Sequence, residues 1–208
     1  MRKLIYFLSI IVTAGIAWFG TEGSVSKANS SSPVRISTIS QLPLSESSSV
    51  ISASSVDNLR LTSCQVSSVY DGDTFHCRVG NQTIKVRLLG IDAPEVKQTY
   101  GQESASFLRS LVVGKTIKLF TTGTDRYKRY LGNAFLPQGN GYLNVNQYLL
   151  EKGQVWFYRY SNKNTELYTV YGRVESKARN GKVGLWNPSL YSNGRPVEPK
   201  TWRDSSKR

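Results

Sequence analysis

The sequence has one histidine and two cysteines among its 208 residues, so it offers no cluster of the ligands that hold zinc. It is also short of acidic residues, with 14 aspartates and glutamates against 27 lysines and arginines, for a net charge of +13. Most of this excess lies in residues 59–208, the region expected to fold. A domain this basic attracts polyanions in a salt-dependent way. Nucleic acid is one such partner, and an anionic surface is another.

The N-terminal 58 residues lack the sequence features of a folded domain. Residues 1–20 begin with a positive charge and continue with an uncharged apolar stretch over 4–19, which predicts an export signal or an uncleaved membrane anchor. Residues 21–58 are rich in serine and have no sustained apolar period, which predicts a disordered linker. We therefore expect the folded part outside the cytoplasm, whether secreted, periplasmic or membrane-anchored.

Hydrophobic periodicity predicts five short strands and three helices in the remainder of the chain. The strands are expected over residues 64–70, 74–79, 83–89, 115–120 and 130–136. The helices are expected over about 102–112, 144–152 and 165–179. This pattern favours an α+β fold with an antiparallel sheet. The polar, basic tail over 188–208 is expected to be disordered.

The two cysteines, Cys64 and Cys77, fall on the two strands of the first predicted hairpin. In an exported domain such a pair favours a disulfide over a metal site. Directly opposite pairing does not centre the turn on Asp71-Gly72, so a bridge requires a bulge or a diagonal arrangement. Two buried free thiols remain the alternative.

Acidic residues and an arginine collect at the ends of the predicted strands. The Asp-Gly-Asp-Thr turn at 71–74 is a hairpin signal, and the third strand carries Arg87 and leads to Asp92 and Glu95. In a curled antiparallel meander the start of the second strand and the end of the third can meet, which would bring Asp73, Arg87, Asp92 and Glu95 into one pocket. These are the residue types of a phosphodiester-cleaving metal site. Taken alone, the Asp71-Gly72-Asp73 stretch is better explained as a polar hairpin turn, and Arg87 could form a surface ion pair with Asp92 or Glu95.

Five stretches keep their order and approximate spacing across residues 64–187. They are residues 71–74, 86–95, 100–107, 124–129 (Thr-Asp-Arg-Tyr-Lys-Arg) and 184–186 (Gly-Leu-Trp). Together they resemble the thermonuclease family, the staphylococcal or micrococcal nuclease type. The resemblance implies a five-stranded OB-type Greek-key β-barrel with three covering helices, formed by residues 59–187.

The resemblance also implies a metal site. It indicates Asp73, Asp92 and the backbone carbonyl of Ala93 as ligands, with Asp71 and Thr74 supporting them. Family members often have threonine at the position of Ala93, but a main-chain ligand should tolerate the change. Hard oxygen ligands suit Ca²⁺, which accepts an irregular shell, better than Mg²⁺.

The remaining roles follow from the same motifs. Glu95 matches the proposed general base, which takes a proton from the attacking water. Arg87 and Arg129 are expected to clamp the phosphate with their planar guanidinium groups. Tyr127 and Lys128 are expected to contact substrate beside Arg129, and Lys128 replaces a glycine common in the family.

Aromatic residues over 156–160 suggest where a nucleotide base could stack. Tyr158 and Tyr160 match the family's tyrosines on that side of the site, although core packing explains the first two aromatics of the run as well. His76, the single histidine, is expected to point outward and is given no catalytic role.

The sequence thus predicts an exported, Ca²⁺-dependent nuclease that acts on DNA and RNA with little sequence specificity and leaves 3′-phosphate ends. We expect a monomer without an obligate protein partner, with possible membrane anchoring through residues 4–19. Two alternatives remain open. The first is a non-catalytic OB-type nucleic-acid-binding module at the cell surface, which would not require the three acids and both arginines of the predicted site. The second is a cell-surface protein whose basic domain binds anionic polymer, a hypothesis that does not explain Asp73, Asp92 and Glu95.

Overall fold

The structure, a computed structural model, describes residues 34–160 and 165–206. The expected signal or anchor over residues 1–20, the first part of the serine-rich segment and the last two residues lie outside the described residues. In the part of the chain that is described, no helix is both long and apolar enough to cross a membrane.

Nine strands and five α-helices follow one another along the described residues. The strands are β1 (Val50–Ser52), β2 (Thr62–Val69), β3 (Thr74–Val79), β4 (Gln82–Leu88), β5 (Ile91–Asp92), β6 (Thr116–Thr124), β7 (Tyr130–Gln138), β8 (Gly141–Asn144) and β9 (Trp156–Phe157). The helices are α1 (Ala53–Asp57), α2 (Gly101–Val112), α3 (Val145–Glu151), α4 (Thr165–Asn180) and α5 (Pro199–Ser205).

Five strands close into a barrel. β2, β3 and β4 form an antiparallel meander, β7 pairs in parallel with β4, and β6 joins β7 to β2 to complete the ring. β8 and β1 extend the sheet from β7, and β5 pairs with β9 in a separate two-stranded sheet. The closed five-stranded barrel with its helices confirms the predicted OB-type α+β fold.

The strand β2 shows how the sequence places the core. Thr62, Cys64 and Val66 are buried in alternation, because successive side chains of a strand point to opposite faces. A bulge between Val66 and Ser68 inserts one residue, so the next buried side chain is Val69. The bulge keeps both halves of the strand facing the barrel interior.

The three helices expected from periodicity are α2, α3 and α4. The side chain of Asn144 accepts a hydrogen bond from the N–H of Gln147 and so caps α3. The core face of α4 is buried as its spacing predicts: Leu167, Tyr171, Val174 and Ala178.

The expectation of a disordered linker is wrong for residues 34–58, which belong to the same compact unit as the barrel. β1 pairs antiparallel with β8 through Val50 and Leu143, and Ile51 and Val56 are buried in the core. The segment was missed because its apolar residues are isolated among serines. A three-residue strand is too short to show a period, and it is formed by pairing with a partner far along the chain.

The expectation of a disordered tail is also wrong for residues 188–206. The segment contains a 3₁₀ turn, Pro188–Leu190, and helix α5, with Pro199 buried. Its docking depends on polar contacts rather than an apolar stripe, so hydrophobic periodicity carries no signal for it.

The two cysteines are joined in a disulfide with their Cα atoms 5.7 Å apart. Cys77 lies opposite Val66 in the β2–β3 register, which makes Cys64, two residues earlier, its diagonal neighbour. Both halves are fully buried. The strands therefore show both the diagonal arrangement and a bulge nearby.

Candidate active site

The β2–β3 turn and the neighbouring strand β4 bring Asp73 and Arg87 face to face. Thr74 pairs with Arg87 in the β3–β4 register, and the N–H of Leu88 donates to the carbonyl of Asp73 at 2.8 Å. The Oδ1 atom of Asp73 lies 3.1 Å from Nε of Arg87. Strand register thus places a carboxylate and a guanidinium side by side at the rim of the barrel.

The residues around Asp73 hold its carboxylate in position. Asp71 Oδ1 accepts a hydrogen bond from the N–H of Asp73 at 3.0 Å, and Thr74 Oγ1 donates to Asp73 Oδ1 at 2.9 Å. A Cβ at Gly72 would lie 1.9 Å from Oγ of Ser104 in α2, so only glycine fits there without rearrangement. The structure therefore places Asp71 and Thr74 in contact with Asp73.

Strand β5 brings a second carboxylate to Arg87. Gly90 has φ +74°, a left-handed conformation that favours glycine, and turns the chain from β4 into β5. Asp92 Oδ1 then accepts from Arg87 Nη2 at 3.0 Å, and the N–H of Ala93 donates to Asp73 Oδ2 at 2.7 Å. Arg87 consequently bridges the two carboxylates.

Glu95 is paired with an arginine that the sequence did not single out. The Nη1 atom of Arg203 in α5 donates to Glu95 Oε1 at 2.7 Å, and Nη2 of the same side chain donates to Asp92 Oδ2 at 2.9 Å. The Glu95 side chain is 33% exposed, and its N–H donates to Gln98 Oε1 at 3.1 Å. Glu95 thus sits nearer to solvent than the two aspartates.

The base of the cleft is acidic and buried. Asp73 and Asp92 are only 4% and 3% exposed. Burial raises the pKa of Asp92, although the hydrogen bond from Arg203 and the charge of Arg87 act to lower it. Burial, together with the neighbouring charge of Asp73, raises the pKa of Asp71 to about 8. Carboxylates crowded at low dielectric require positive charge between them, which here comes from the two arginines.

Arg129 reaches the same cleft from the β6–β7 turn. Asp125 accepts from Arg129 Nε at 2.8 Å and lies 2.7 Å from its Nη2. Burial alone would raise the pKa of Asp125, but hydrogen bonds from Arg129 lower it. Lys128 has φ +60°, so it adopts the left-handed conformation that a glycine takes at no cost. The turn thus holds a lysine in a conformation that favours glycine.

Not all the expected substrate contacts lie together. Tyr127 is 64% exposed and lines the cleft with Arg126 and Tyr158. Tyr160 packs at 5.5 Å between ring centres from Tyr158, and its hydroxyl donates to a glutamate of the C-terminal segment. Lys128 is not among the residues that line the cleft.

The C-terminal residues Lys200, Arg203 and Asp204 also line the cleft, as do residues 37–39 near the described N-terminal end. Neither group carries a motif or period that could have revealed it. Arg203 lies 111 residues from Asp92 along the chain. From sequence alone, a single arginine in a polar tail is interpreted as a solvent-exposed charge. Only the folded chain brings these residues to the site.

The oxygen ligands at the base of the cleft fit a hard divalent cation. The carboxylates of Asp73 and Asp92 meet beside the main chain of Ala93, and none of the cleft-lining residues is a histidine or a cysteine. Among residues 34–160 and 165–206, no three or more His, Cys, Asp or Glu side chains are grouped to hold a metal. A bound ion therefore needs main-chain oxygen and water to complete its shell, as a set of two carboxylates and one carbonyl implies.

A closed five-stranded barrel whose rim joins buried carboxylates to arginines defines an OB-type domain with a site suited to phosphate chemistry. The chain belongs to the staphylococcal nuclease family, because the family model described as staphylococcal nuclease homologue matches residues 85–188, half of the chain.

Three relatives agree with this assignment. A protein of Escherichia coli O157:H7 named uncharacterized endonuclease is 38% identical over 139 residues, 67% of this chain and 83% of the relative. A micrococcal nuclease of Shigella flexneri is 36% identical over 148 residues, 69% of this chain and 81% of the relative. An uncharacterized endonuclease of Haemophilus influenzae is 34% identical over 145 residues, 69% of this chain and 74% of the relative. These relatives support a nuclease of this family.

Proposed function

We propose that this chain is an exported, Ca²⁺-dependent nuclease that hydrolyses phosphodiester bonds of DNA and RNA with little sequence specificity. The observation that carries the proposal is the bridge made by Arg87 between Asp73 and Asp92 at the buried base of a cleft of about 1270 Å³. Glu95 stands beside this bridge, and Arg129 lines the same cleft. Positive and negative groups are thus arranged to receive both a phosphate and a cation.

The arginines bind and orient the phosphate. Arg87 already donates to Asp73, Asp92 and the carbonyl of Leu88, which holds its guanidinium rigid and leaves N–H donors over for a phosphate. Asp125 fixes Arg129 in the same way. Two preorganised cations stabilise the negative charge that grows on the phosphoryl oxygens without further reorganisation.

Glu95 is the proton acceptor. It lies closer to solvent than Asp73 or Asp92, so a water molecule can approach both its carboxylate and the phosphorus. As the water oxygen bonds to phosphorus, its proton passes to Glu95 and the bond to the 5′ oxygen breaks. The 5′ oxygen leaves and takes a proton from solvent water, which gives a 3′-phosphate end and a 5′-hydroxyl end.

Asp73, Asp92 and the carbonyl of Ala93 would hold the metal ion. When bound there, Ca²⁺ would supply positive charge to a phosphate oxygen and make a neighbouring water more acidic. Ca²⁺ tolerates an irregular shell of oxygens, whereas Mg²⁺ requires a tighter octahedron, so Mg²⁺ is the less suitable ion.

The rest of the cleft suits single-stranded nucleic acid of any sequence. Tyr127 stands beside Arg126 and Arg129, with the guanidinium carbons 4.9 and 5.4 Å from the ring centre, and Tyr158 lines the same cleft. Aromatic faces and backbone-tracking cations bind bases and phosphates without reading sequence. We further propose that the protein acts as a monomer without an obligate protein partner, outside the cytoplasm, with residues 1–20 as its export signal or anchor.

Cleavage assays with plasmid and RNA test the proposal. The purified chain should hydrolyse both in Ca²⁺, leave 3′-phosphate ends, and stop on chelation. Binding of nucleic acid should survive chelation at low salt and fade as salt rises, because it depends on counterion release. Salt-sensitive binding without cleavage under any divalent ion would instead favour the non-catalytic nucleic-acid-binding module.

A further inference from the structure

The C-terminal segment, residues 188–206, crosses the mouth of the cleft. The carbonyl of Val197 accepts a hydrogen bond from the Gln98 side chain, and Glu198 accepts one from the hydroxyl of Tyr160 at 3.2 Å. Pro199 is buried at the start of α5. These contacts attach the segment beside the cleft, and Lys200, Arg203 and Asp204 of α5 line the cleft itself.

Arg203 uses the carboxylate oxygens that catalysis requires. Its Nη1 donates to Glu95 Oε1 at 2.7 Å and to Asp92 Oδ1 at 3.3 Å, and its Nη2 donates to Asp92 Oδ2 at 2.9 Å. A guanidinium bound to both oxygens of Asp92 leaves little room for a cation on the same carboxylate. Its hydrogen bond to Glu95 also occupies the group that would accept a proton. Arg203 and a metal ion would therefore compete for the oxygens of Asp92.

Few buried contacts hold helix α5 in place. Pro199 is the only residue of the seven-residue helix α5 that is buried, and the Arg203 side chain remains 34% exposed. Segments with few buried apolar contacts open at low free-energy cost. Removal of the segment from the cleft does not require the barrel to open.

We propose that residues 188–206 are an autoinhibitory cap: Arg203 holds Asp92 and Glu95 in place of a cation, and a divalent cation releases the segment when it binds. The proposal rests on the nuclease function proposed above. Such a cap makes the protein inactive where Ca²⁺ is scarce and active where Ca²⁺ is abundant. The segment that leaves also uncovers the cleft for nucleic acid.

The first test is the Ca²⁺ affinity of the full chain, measured by calorimetry. If the cap is open in about a tenth of molecules, the apparent dissociation constant of wild type is about tenfold weaker than that of a chain without the cap contact. Arg203→Ala should therefore bind Ca²⁺ about tenfold more tightly. Arg195→Ala removes the same charge from an exposed position of the same segment and should leave the affinity unchanged.

The second test follows the segment itself, because a purely electrostatic effect of Arg203 on the metal would not move it. Trypsin should cleave after Lys200 slowly in chelator and at least several-fold faster in Ca²⁺, with the fragment identified by mass. Trp202 lies beside Arg203 in α5, so its fluorescence should change over the same Ca²⁺ titration. Trp202→Phe should abolish that fluorescence change.

The outcomes separate the cap from the nuclease function. If wild type cleaves nucleic acid but Arg203→Ala binds Ca²⁺ no more tightly and Ca²⁺ does not expose Lys200, the cap is refuted and the function stands. If Ca²⁺ releases the segment but no variant cleaves nucleic acid, the cap stands and the function is refuted. If neither wild type nor Arg203→Ala binds Ca²⁺, the competition between Arg203 and the ion is refuted.

Discussion

Replacing Arg87 with alanine should affect stability as well as catalysis. The Arg87 side chain is 12% exposed and pairs with Asp73 and Asp92, whose side chains are 6% and 5% exposed. Removing one partner of a buried ion pair leaves an uncompensated charge and costs about 3–5 kcal/mol. Thr74 and the N–H of Ala93 still donate to Asp73, and Arg203 still pairs with Asp92. We therefore expect a loss of stability at the lower end of this range, about 3 kcal/mol.

Urea unfolding in chelator, followed by circular dichroism, measures this loss without contribution from metal. Arg129→Ala is the matched control, because Arg129 is more exposed and pairs with Asp125 within one turn. That variant should lose about 1 kcal/mol or less. In Ca²⁺ the stability of Arg87→Ala should recover in part, since an ion between Asp73 and Asp92 would replace the missing charge. An Arg87→Ala variant that unfolds at the wild-type urea concentration in chelator would refute the bridging role.

Three further predictions concern the proton acceptor, the disulfide and the N-terminal segment. Glu95→Gln should keep the unfolding midpoint near that of wild type but reduce turnover by roughly 10²–10⁴-fold in single-turnover cleavage, because the amide cannot take the proton; near-wild-type turnover would exclude Glu95 as the base. Thiol labelling of the denatured, unreduced protein should detect no free cysteine, and replacing Cys64 and Cys77 with alanine should cost about 2–4 kcal/mol; two reactive thiols would exclude the bridge. Ile51→Ala should cost about 2–4 kcal/mol in urea unfolding, as for other large core residues, whereas a chain that tolerates it would place residues 34–58 outside the cooperative fold.

The local part of the fold and site was predictable from sequence. Alternating strands around a hairpin turn place Asp73 against Arg87, because strand register transmits position from one strand to the next. Asp92 follows β4 by only a few residues, so it reaches the same rim. The period of α4 and the cap of α3 are likewise local signals that each need only a few neighbouring residues.

Other features depended on partners far along the chain. The sequence suggested a disulfide but left diagonal pairing open, and the bulge in β2 decides where the two cysteines meet. The segment over 34–58 looked disordered because its apolar residues are isolated, yet Val34, Leu42, Ile51 and Val56 are buried in a core formed with later strands. Packing against distant surfaces has no counterpart in local periodicity.

The sequence by itself therefore determined the strands and the covering helices, indicated the barrel through the family resemblance, and indicated the cluster formed by Asp73, Arg87 and Asp92. Only the tertiary structure decided that a C-terminal arginine, Arg203, lies on Asp92 and Glu95. The physical reason is that an ion pair acts over a few ångströms in space, whatever the distance along the chain. A single charged side chain carries no pattern that identifies its partner, and the fold of the intervening chain selects that partner.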